Sequence, residues 1–409
     1  MKFKKTILPN GLRIITVPMK DTRAVTVMVL VEAGSKYETK EINGLSHFLE
    51  HMCFKGTTKR PSAFAISSEL DGIGAQSNAF TDKEFTGYYA KADKKYFSQI
   101  TDVVSDIYLN STFPEADLEK EKGVVTEEIN MYEDLPQRKV WDNFEKLLYG
   151  DQPAGWPVIG NKENIKKITQ KDLIKYRKNQ YVSKSTIIVV AGNIEEKSAI
   201  KEIKNVFFKI STASKKGKKK TVEKQDKPKT LVQFKETDQT HLVIGFRSFK
   251  VNDERNWALG MLSTILGKGM SSRLFVKMRE ELGICYYIHT SAGVSTDSGY
   301  FAVSAGVGNK RAEEAIKAIM AEIEKVKTNG VEEKELRKAK DFMIGNLSLD
   351  LEGSDDYANY YGFQEILRES ILVPAEHIKK IEAVTLEQVN KVAARKQLRI
   401  YQYLYFFGK

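Results

Sequence analysis

Cysteine is scarce in this chain, which has only Cys53 and Cys285 among 409 residues. The two lie 232 positions apart and show no CxxC spacing, so they provide neither a disulfide framework nor a cysteine-rich metal cluster. Such a low cysteine content is typical of a protein from a reducing compartment. We expect each thiol to be a small buried apolar group.

Long apolar runs are also missing. No stretch reaches the roughly 18 consecutive apolar residues that a membrane-spanning helix needs. The basic residues near the N-terminus are not followed by the apolar segment and small-residue cleavage site of a signal peptide. These absences predict a cytoplasmic protein with no membrane partner.

Basic residues exceed acidic ones, 65 to 54, and give a net charge of +11. The densest run is Lys215-Lys216-Gly217-Lys218-Lys219-Lys220, within a polar stretch that lacks aromatic residues and apolar periodicity. That composition is typical of a linker. Because single-stranded nucleic acids are usually bound by basic groups together with aromatic side chains on which bases stack, we do not expect a nucleic-acid partner.

Elsewhere, apolar periodicity predicts both strands and helices. Runs rich in β-branched residues predict strands at 13–17, 24–32 and 185–191. Apolar residues at helical spacing predict a helix over 94–109, and the charged segment 115–133 is predicted to be helical and to end before Pro136. The expected fold class is therefore α+β.

The order of these elements recurs in the second half of the chain. Gly87-Tyr88-Tyr89-Ala90 returns as Gly299-Tyr300-Phe301-Ala302 at an offset of 212, and segment 163–168 returns as 376–381 at an offset of 213. Two matches at nearly one offset indicate an internal duplication. We predict two homologous domains, 1–210 and 230–409, each a mostly antiparallel sheet with helices packed on one face, joined by a lysine-rich linker at 211–229.

The most informative stretch is residues 44–56. Two of the five histidines in the chain, His47 and His51, are four apart here, so a helix would place both imidazoles on one face. Glu50 would lie about 60° round the helix from His47 and about 100° from His51. This H-x-x-E-H pattern favours a catalytic zinc site that a carboxylate completes, with Glu50 beside it as a base. The alternative is a solvated or buried helix that contains two histidines by chance.

The duplication bears on this interpretation. Adding the offset of 213 to His47, Glu50 and His51 gives three residues without metal-ligand character, Gly260, Ser263 and Thr264. Only the first domain can therefore hold a metal by this motif. If the motif served only to pack the domain, it would be expected in both copies. Its presence in one copy alone favours a functional role.

A glycine-containing segment of the second half does not indicate a nucleotide site. Gly267-Lys268-Gly269-Met270 lacks the residue order of a phosphate-binding loop, and nucleotide binding is not predicted.

The acidic segment 115–133 provides candidates for a third zinc ligand. Glu121 and Glu128 are seven apart and would share one face of a helix. Most glutamates on such a helix are solvated. Spacing alone does not select the ligand.

Four stretches carry a resemblance to a known family, namely residues 44–57, residues 78–81 (Asn-Ala-Phe-Thr), residues 123–129 and residues 273–286. On these residues the chain resembles the pitrilysin/insulinase zinc metallopeptidases, the inverzincins. The likeness is strongest to the branch with a single pair of repeats, which includes the mitochondrial processing peptidase and bacterial relatives. It covers nearly the whole chain.

The resemblance implies a set of zinc ligands. His47, His51 and Glu128 would bind the ion, because Glu128 follows His51 by 77 positions, the separation at which the family's third ligand is found. Glu121 would support the site from behind the ligands. Glu127 is the adjacent alternative to Glu128.

The resemblance also implies substrate contacts. Asn78 and Ala79 would line a groove in which an extended peptide adds as a further strand, although Asn78 also fits an ordinary asparagine at a strand end. From the second domain, Arg279 and Tyr286, seven apart, would face the zinc.

Together these residues imply a zinc-dependent endopeptidase in which a zinc-bound water attacks the peptide bond and Glu50 acts as general base. Tyr286 and Arg279 would stabilise the oxyanion and position the substrate. The family implies a closed chamber that admits unfolded peptides or precursor segments, so peptide degradation and precursor processing both fit. Because the chain has one repeat pair, we expect a homodimer in which Arg279 and Tyr286 serve the zinc of the partner chain. The alternative is a non-catalytic structural or partner subunit of the same superfamily.

Overall fold

The computed structural model describes residues 1–225, 227–394 and 401–407. The strands, numbered in chain order, are β1 (Lys4–Ile7), β2 (Arg13–Pro18), β3 (Ala24–Val31), β4 (Gln76–Thr81), β5 (Thr86–Asp93), β6 (Thr186–Gly192), β7 (Lys229–Phe234), β8 (Gln239–Arg247), β9 (Cys285–Val294), β10 (Gly299–Gly308) and β11 (Tyr401–Phe407).

The helices, numbered in the same way, are α1 (Leu45–Cys53), α2 (Ala63–Asp71), α3 (Phe97–Asn110), α4 (Glu115–Asp134), α5 (Pro136–Tyr149), α6 (Lys162–Lys167), α7 (Gln170–Gln180), α8 (Glu196–Val206), α9 (Arg255–Gly267), α10 (Arg273–Phe275), α11 (Ala312–Asn329), α12 (Glu333–Leu349), α13 (Ser354–Leu367), α14 (Pro374–Glu382) and α15 (Leu386–Ala393). Each strand and helix predicted above is present, with ends within three residues of the prediction.

The first sheet has the strand order β1-β2-β6-β3-β5-β4. Strand β6 pairs in parallel with β2, and the other neighbours are antiparallel. Every residue of β6 is buried, as expected for a central strand that is covered on both faces. Strand β4 forms one edge of the sheet.

The second sheet repeats this topology. Its order is β7-β11-β8-β10-β9, with β7 and β11 parallel and the other pairs antiparallel. Replacing each strand by its equivalent in the first half gives β2-β6-β3-β5-β4. The predicted α+β class, with two related and mostly antiparallel sheets, is confirmed.

The described chain forms two compact units, each assembled from separate segments. The first contains Met1–Asn130, Trp156–Lys219 and Asp350–Val373. The second contains Met131–Gly155, Lys220–Leu349 and the described residues from Pro374 onward. The continuous ranges expected from the duplication, 1–210 and 230–409, stay a prediction about the repeat.

In the first unit, helices cover both faces of the sheet, and not one face as predicted. Helix α3 packs against β3 and β5 on one face, where its Tyr108 hydroxyl lies 2.7 Å from the Thr186 hydroxyl of β6. Helix α13, from the second half of the chain, covers the other face, where its buried Tyr361 joins Met28 and Leu30 in one apolar cluster. This donated helix is a feature that the sequence did not reveal.

The second unit is built in the same way with a helix from the first half of the chain. Helices α9, α11 and α12 share the main apolar core with Leu242 and Ile244 of β8. Because alternate residues of a strand point to opposite faces, Val243 lies on the other face, where Phe144 of α5 packs against it.

The lysine-rich segment is attached to both units. Lys215 forms an ion pair of 2.6 Å with Glu32, and Lys218 one of 3.1 Å with the buried Glu84. Further along, the Thr221 backbone N–H donates to Asp297 at 2.9 Å. The described part of 211–228 contains no helix or strand. Its role as a linker stays a prediction.

Both cysteines are buried, and burial raises the pKa of both the Cys53 and the Cys285 thiols. This is the small apolar role expected of them. Within the described residues, no helix combines the length and apolar character needed to cross a membrane.

Arg60 holds together the segment that follows the metal-motif helix. Its guanidinium is almost fully buried and donates to Glu69, Asp102 and Asp106 at 2.6–2.9 Å. Hydrogen bonding from Arg60 lowers the pKa of Glu69. Burial opposes the charged form of Asp102, but hydrogen bonds from Arg60 and Lys59 outweigh it and lower that pKa too.

Replacing Arg60 should remove a part of the free energy of unfolding that is present at neutral pH and is lost in acid. The folded pKa values of Glu69 and Asp102 lie below their unfolded values of 4.5 and 3.8, so their contribution is present above those values and is lost as the pH falls further. Arg60→Met should lower the free energy of unfolding at pH 7 by about 3 kcal/mol. In urea unfolding, the deficit should shrink towards pH 3. Arg23→Met, whose side chain is 93% exposed, is the control, and an Arg60→Met deficit that does not change with pH would contradict the assignment.

Candidate functional site

Helix α1 carries the H-x-x-E-H motif and starts at a glycine that no other residue could replace easily. Gly44 has a φ of 100°, in the left-handed region that favours glycine. A side chain there would also meet the carbonyl oxygen of Ile159 at 2.7 Å. The sharp turn at Gly44 sets the direction in which the helix leaves the preceding loop.

A buried carboxylate caps the start of this helix. Glu38 accepts hydrogen bonds from the backbone N–H groups of Gly44, at 2.8 Å, and Ser46, at 2.6 Å, and from the side-chain amide of Asn43 at 3.0 Å. The first N–H groups of a helix lack partners within the helix, and Glu38 accepts hydrogen bonds from two of them, from the loop that precedes α1. Burial raises the pKa of Glu38, and these hydrogen bonds oppose the rise.

The two histidines of α1 share one face, as predicted, with ring centroids 4.6 Å apart. Glu121 and Glu128 lie on α4, which brings Glu128 to the same place: its Oε2 is 3.7 Å from Nε2 of His47 and 3.7 Å from Nε2 of His51. Within the described residues, His47, His51 and Glu128 form the one group of three potential ligands with donor atoms within 4.8 Å of one another. Glu127 is exposed and accepts a hydrogen bond from Asn130 instead.

This donor set fits a zinc ion. Two imidazole nitrogens and one carboxylate oxygen are the protein ligands of a catalytic zinc site, and tetrahedral ligands at about 2.0–2.1 Å from zinc lie about 3.3–3.4 Å apart. The observed separations of 3.7 Å are close to this value. The other imidazole nitrogen of His47, Nδ1, is buried and makes no hydrogen bond among the described residues.

Glu121 supports the site from the same helix as Glu128. Its Oε1 lies 2.8 Å from Nδ1 of His51 and its Oε2 lies 2.6 Å from Nζ of Lys55. A histidine ligand commonly donates its second ring N–H to such a carboxylate, which fixes the tautomer and leaves Nε2 for the metal. The contact is observed, and the supporting role of Glu121 stays a prediction.

The surroundings shift the pKa values of the two histidines in opposite directions. Burial, followed by the nearby charge of His51, lowers the pKa of His47 to about 3, so its imidazole is neutral near pH 7, as a metal ligand must be. Burial also opposes charge on His51, but the hydrogen bond to Glu121 and the neighbouring carboxylates outweigh it and raise its pKa. A bound divalent cation would replace that proton as the counter-charge of Glu121 and Glu128.

Glu50 is buried beside this cluster, only 9% exposed. Burial raises its pKa, and a hydrogen bond from the Thr81 hydroxyl opposes part of the rise. That bond is 2.5 Å long and ends on Oε2 of Glu50, so the end of β4 fixes the direction of the carboxylate. Thr81 is a site residue to which the sequence analysis assigned no role, although it is the last residue of the 78–81 stretch that carries the family resemblance.

Asn78 and Ala79 lie on the edge strand β4, opposite Tyr89 and Tyr88 of β5. The Asn78 side chain is exposed, and its Oδ1 accepts a hydrogen bond from the Ala79 backbone N–H at 2.9 Å. Helix α1 packs against the same strand. The predicted substrate residues and the metal cluster therefore belong to neighbouring elements of one unit.

Arg279 and Tyr286 belong to the second unit and contact one another. The guanidinium of Arg279 donates to the backbone carbonyls of Cys285, at 3.0 Å, and Tyr286, at 2.9 Å, and lies 5.5 Å from the Tyr286 ring centroid. Tyr286 is the extra residue of a β-bulge, since Val307 pairs with Cys285 and Gly306 pairs with Tyr287. Bulges re-aim side chains, and this one leaves Tyr286 71% exposed.

Family models match both halves of the chain. A family model described as insulinase, peptidase family M16, matches residues 13–162, and a model described as the peptidase M16 inactive domain matches residues 167–343. A Bacillus subtilis protein named uncharacterized zinc protease YmxG is 38% identical over 96% of this chain and 95% of its own length. A Streptomyces coelicolor protein named an uncharacterized zinc protease is 32% identical over 95% of this chain and 86% of its own length.

Solved structures share the fold. A protease from Helicobacter pylori has a TM-score of 0.92 at 24% identity, covering 99% of both chains. A peptidase M16 inactive domain from Pseudomonas fluorescens has a TM-score of 0.92 at 17% identity, covering 100% of this chain and 98% of the other.

Two related α+β units, one of which carries an H-x-x-E-H cluster, define the inverzincin class of zinc metallopeptidases. Within that class, the chain belongs to the insulinase family, peptidase family M16. Zinc is its cofactor, because the relatives are named zinc proteases and the cluster of potential ligands fits zinc. The description of the second family model as inactive agrees with the absence of the motif from the second half of the sequence.

Paired glutamine variants on α4 should identify the third ligand. Glu128→Gln should weaken zinc binding by more than about 100-fold, because it removes a ligand, whereas Glu121→Gln should weaken it by about 10- to 100-fold. Glu127→Gln, one position away, should bind zinc as the wild type does. Zinc stoichiometry and competition with a chromogenic chelator measure all three. Loss of zinc in Glu127→Gln with normal binding in Glu128→Gln would overturn the assignment.

Proposed function

We propose that this chain is a zinc-dependent endopeptidase that hydrolyses unfolded peptides or precursor segments in a closed chamber. The observation that carries the proposal is the buried carboxylate of Glu50, fixed by Thr81, beside the cluster of His47, His51 and Glu128. A zinc site that only stabilised the fold would need carboxylates that bind the ion or orient a ligand, as Glu121 can by its contact with His51, but not one that is hydrogen-bonded to Thr81 instead. The relatives named zinc proteases support the same function.

His47, His51 and Glu128 would hold the ion. When bound, zinc would supply Lewis-acid polarisation of the scissile carbonyl and a water of lowered pKa. Glu50 would accept the proton of the attacking water at the carboxylate oxygen that Thr81 leaves available, and would then donate it to the leaving amine. A raised pKa suits this exchange, because a general base works best when its pKa lies near the working pH.

The edge strand β4 is the proposed place of the substrate. Its paired neighbour within the described residues is β5, on one side, so its other edge can offer main-chain groups to an extended peptide. Residues 76–78 of this strand are exposed. A peptide that is bound through main-chain hydrogen bonds must be unfolded, which favours unfolded peptides or precursor segments as substrates.

Arg279 and Tyr286 are proposed to act on the substrate at the zinc of a partner chain, in a homodimer. Their support is the exposed, bulged position of Tyr286 and the two hydrogen bonds from Arg279 that fix the backbone on either side of its Cα atom. A phenol and a guanidinium are suitable donors for a developing oxyanion and for a substrate carbonyl.

Glu50→Gln should abolish turnover and leave the zinc content unchanged. The amide keeps the size of the side chain but cannot take up the proton, and the loss of a general base costs about 100- to 10,000-fold in rate. The assay is cleavage of a set of internally quenched peptides, with zinc measured on the same samples. Glu119→Gln, at an exposed position of α4, is the control. Normal cleavage by Glu50→Gln would refute the role, and zinc-loaded wild type that cleaves no peptide would favour the non-catalytic subunit.

Two inactive variants should restore each other if the site is shared between chains. Co-expressing Glu50→Gln with Tyr286→Phe under two affinity tags isolates the mixed dimer. With two-fold symmetry, one of its two sites would combine an intact Glu50 with an intact Tyr286, so the activity should be about half that of the wild-type dimer. If both residues act within one chain, the mixed dimer would stay as inactive as its parents. An active enzyme that sediments as a monomer would also contradict the proposal.

A further inference from the structure

The second unit contains a pocket that includes the counterpart of one of the three candidate zinc ligands. It lies between the C-terminal end of α9, the loop of residues 268–272 and helix α12. In the duplication, α9 and α12 are the counterparts of α1 and α4. Thr264, the residue at the offset of 213 from His51, lines the pocket. The pocket therefore lies between the counterparts of the two helices that carry the metal cluster, with a threonine in place of His51.

One side of this pocket is apolar. Ile265 and Ala339 are buried beneath it, and Phe342 is partly exposed at its edge. The loop passes close over that ring: Gly269 has a φ of +80°, and a side chain there would meet the Phe342 ring at 3.2 Å. The apolar surface is thus defined by the fold and could accept an aliphatic or aromatic group.

The other side of the pocket is cationic. Lys268 and Lys338 both line it, and no carboxylate in the described part of the chain forms an ion pair with either. Nζ of Lys338 donates to the Ser271 carbonyl oxygen at 2.8 Å, which positions the ammonium group and leaves two of its three N–H donors for a ligand.

The remaining charges of the pocket cancel one another. Arg273 donates two hydrogen bonds of 2.6 Å to Glu335, and hydrogen bonding by Arg273 helps to lower the pKa of Glu335 against the effect of burial. The net positive charge of the pocket therefore comes from the two lysines.

We propose that this pocket binds a carboxylate attached to an apolar body, either the C-terminal residue of a peptide or a free small carboxylic acid. The carboxylate would accept hydrogen bonds from Lys268 and Lys338, and the apolar body would lie against Ile265, Ala339 and Phe342. This binding is independent of the proposed peptidase activity and needs no metal.

The test compares acids with their amides on the full-length protein. Calorimetric titration of N-acetyl-phenylalanine and 4-phenylbutyrate should show binding that is at least about tenfold tighter than that of N-acetyl-phenylalaninamide and 4-phenylbutyramide, since the charge-assisted hydrogen bonds are lost with the carboxylate. Preference for N-acetyl-phenylalanine would assign the site to peptide C-termini, and preference for 4-phenylbutyrate to free acids. Equal binding of acids and amides, or no binding of either acid, would overturn the proposal.

Variants locate the binding in the pocket. The double substitution Lys268→Met and Lys338→Met should weaken binding of the acids by about tenfold or more and leave the weak binding of the amides unchanged. Lys334→Met, on the same helix but paired with Glu332 and not in the pocket, should bind as the wild type does. Thermal unfolding of each variant checks its fold, and the comparison of acids with amides needs no variant. Acid binding that survives the double substitution would place the ligand elsewhere and refute the site.

Discussion

The candidate zinc site depends on one contact between two helices, in which Glu121 of α4 meets His51 of α1. The carboxylate lies 2.8 Å from the imidazole on one side and 2.6 Å from the ammonium group of Lys55 on the other. It thereby sets the orientation of the His51 ring and the position of α4 along α1. Because Glu128 follows Glu121 by seven residues, two turns of helix, the same contact brings Glu128 to the two imidazoles.

Local sequence patterns predict most of the strands and helices, and they predict which side chains share a face of a single helix. The i, i+4 spacing of His47 and His51 and the seven-residue spacing of Glu121 and Glu128 depend only on helical geometry, and the structure has both. Which helix meets which depends on contacts far apart in sequence. For that reason the choice of Glu128 depends on family resemblance, and neither the hydrogen bond from Thr81 nor the packing of α5 and α13 on the sheet of the other unit was predicted. The cap by Glu38 is local, six to eight residues from its partners, but it has no sequence pattern that identifies it.

The duplication shows how one architecture can hold two kinds of site. In each unit, the helix that follows β3 or β8 (α1 or α9) lies near a later charged helix (α4 or α12). Side chains of the two helices line a space between them. In the first unit, imidazoles and carboxylates fill that space, and burial keeps His47 neutral. In the second, Thr264, Lys338 and Phe342 line it instead. The fold supplies the geometry, and the side chains at a few positions decide the chemistry.

The most direct test is the cleavage of an internally quenched peptide of about ten residues by the wild-type protein before chelation, after chelation and after zinc is returned. The account predicts cleavage that the chelator abolishes and that one equivalent of zinc per chain restores. Cleavage that persists in the protein from which zinc has been removed would contradict it, because the activity would then not depend on His47, His51 and Glu128 as zinc ligands.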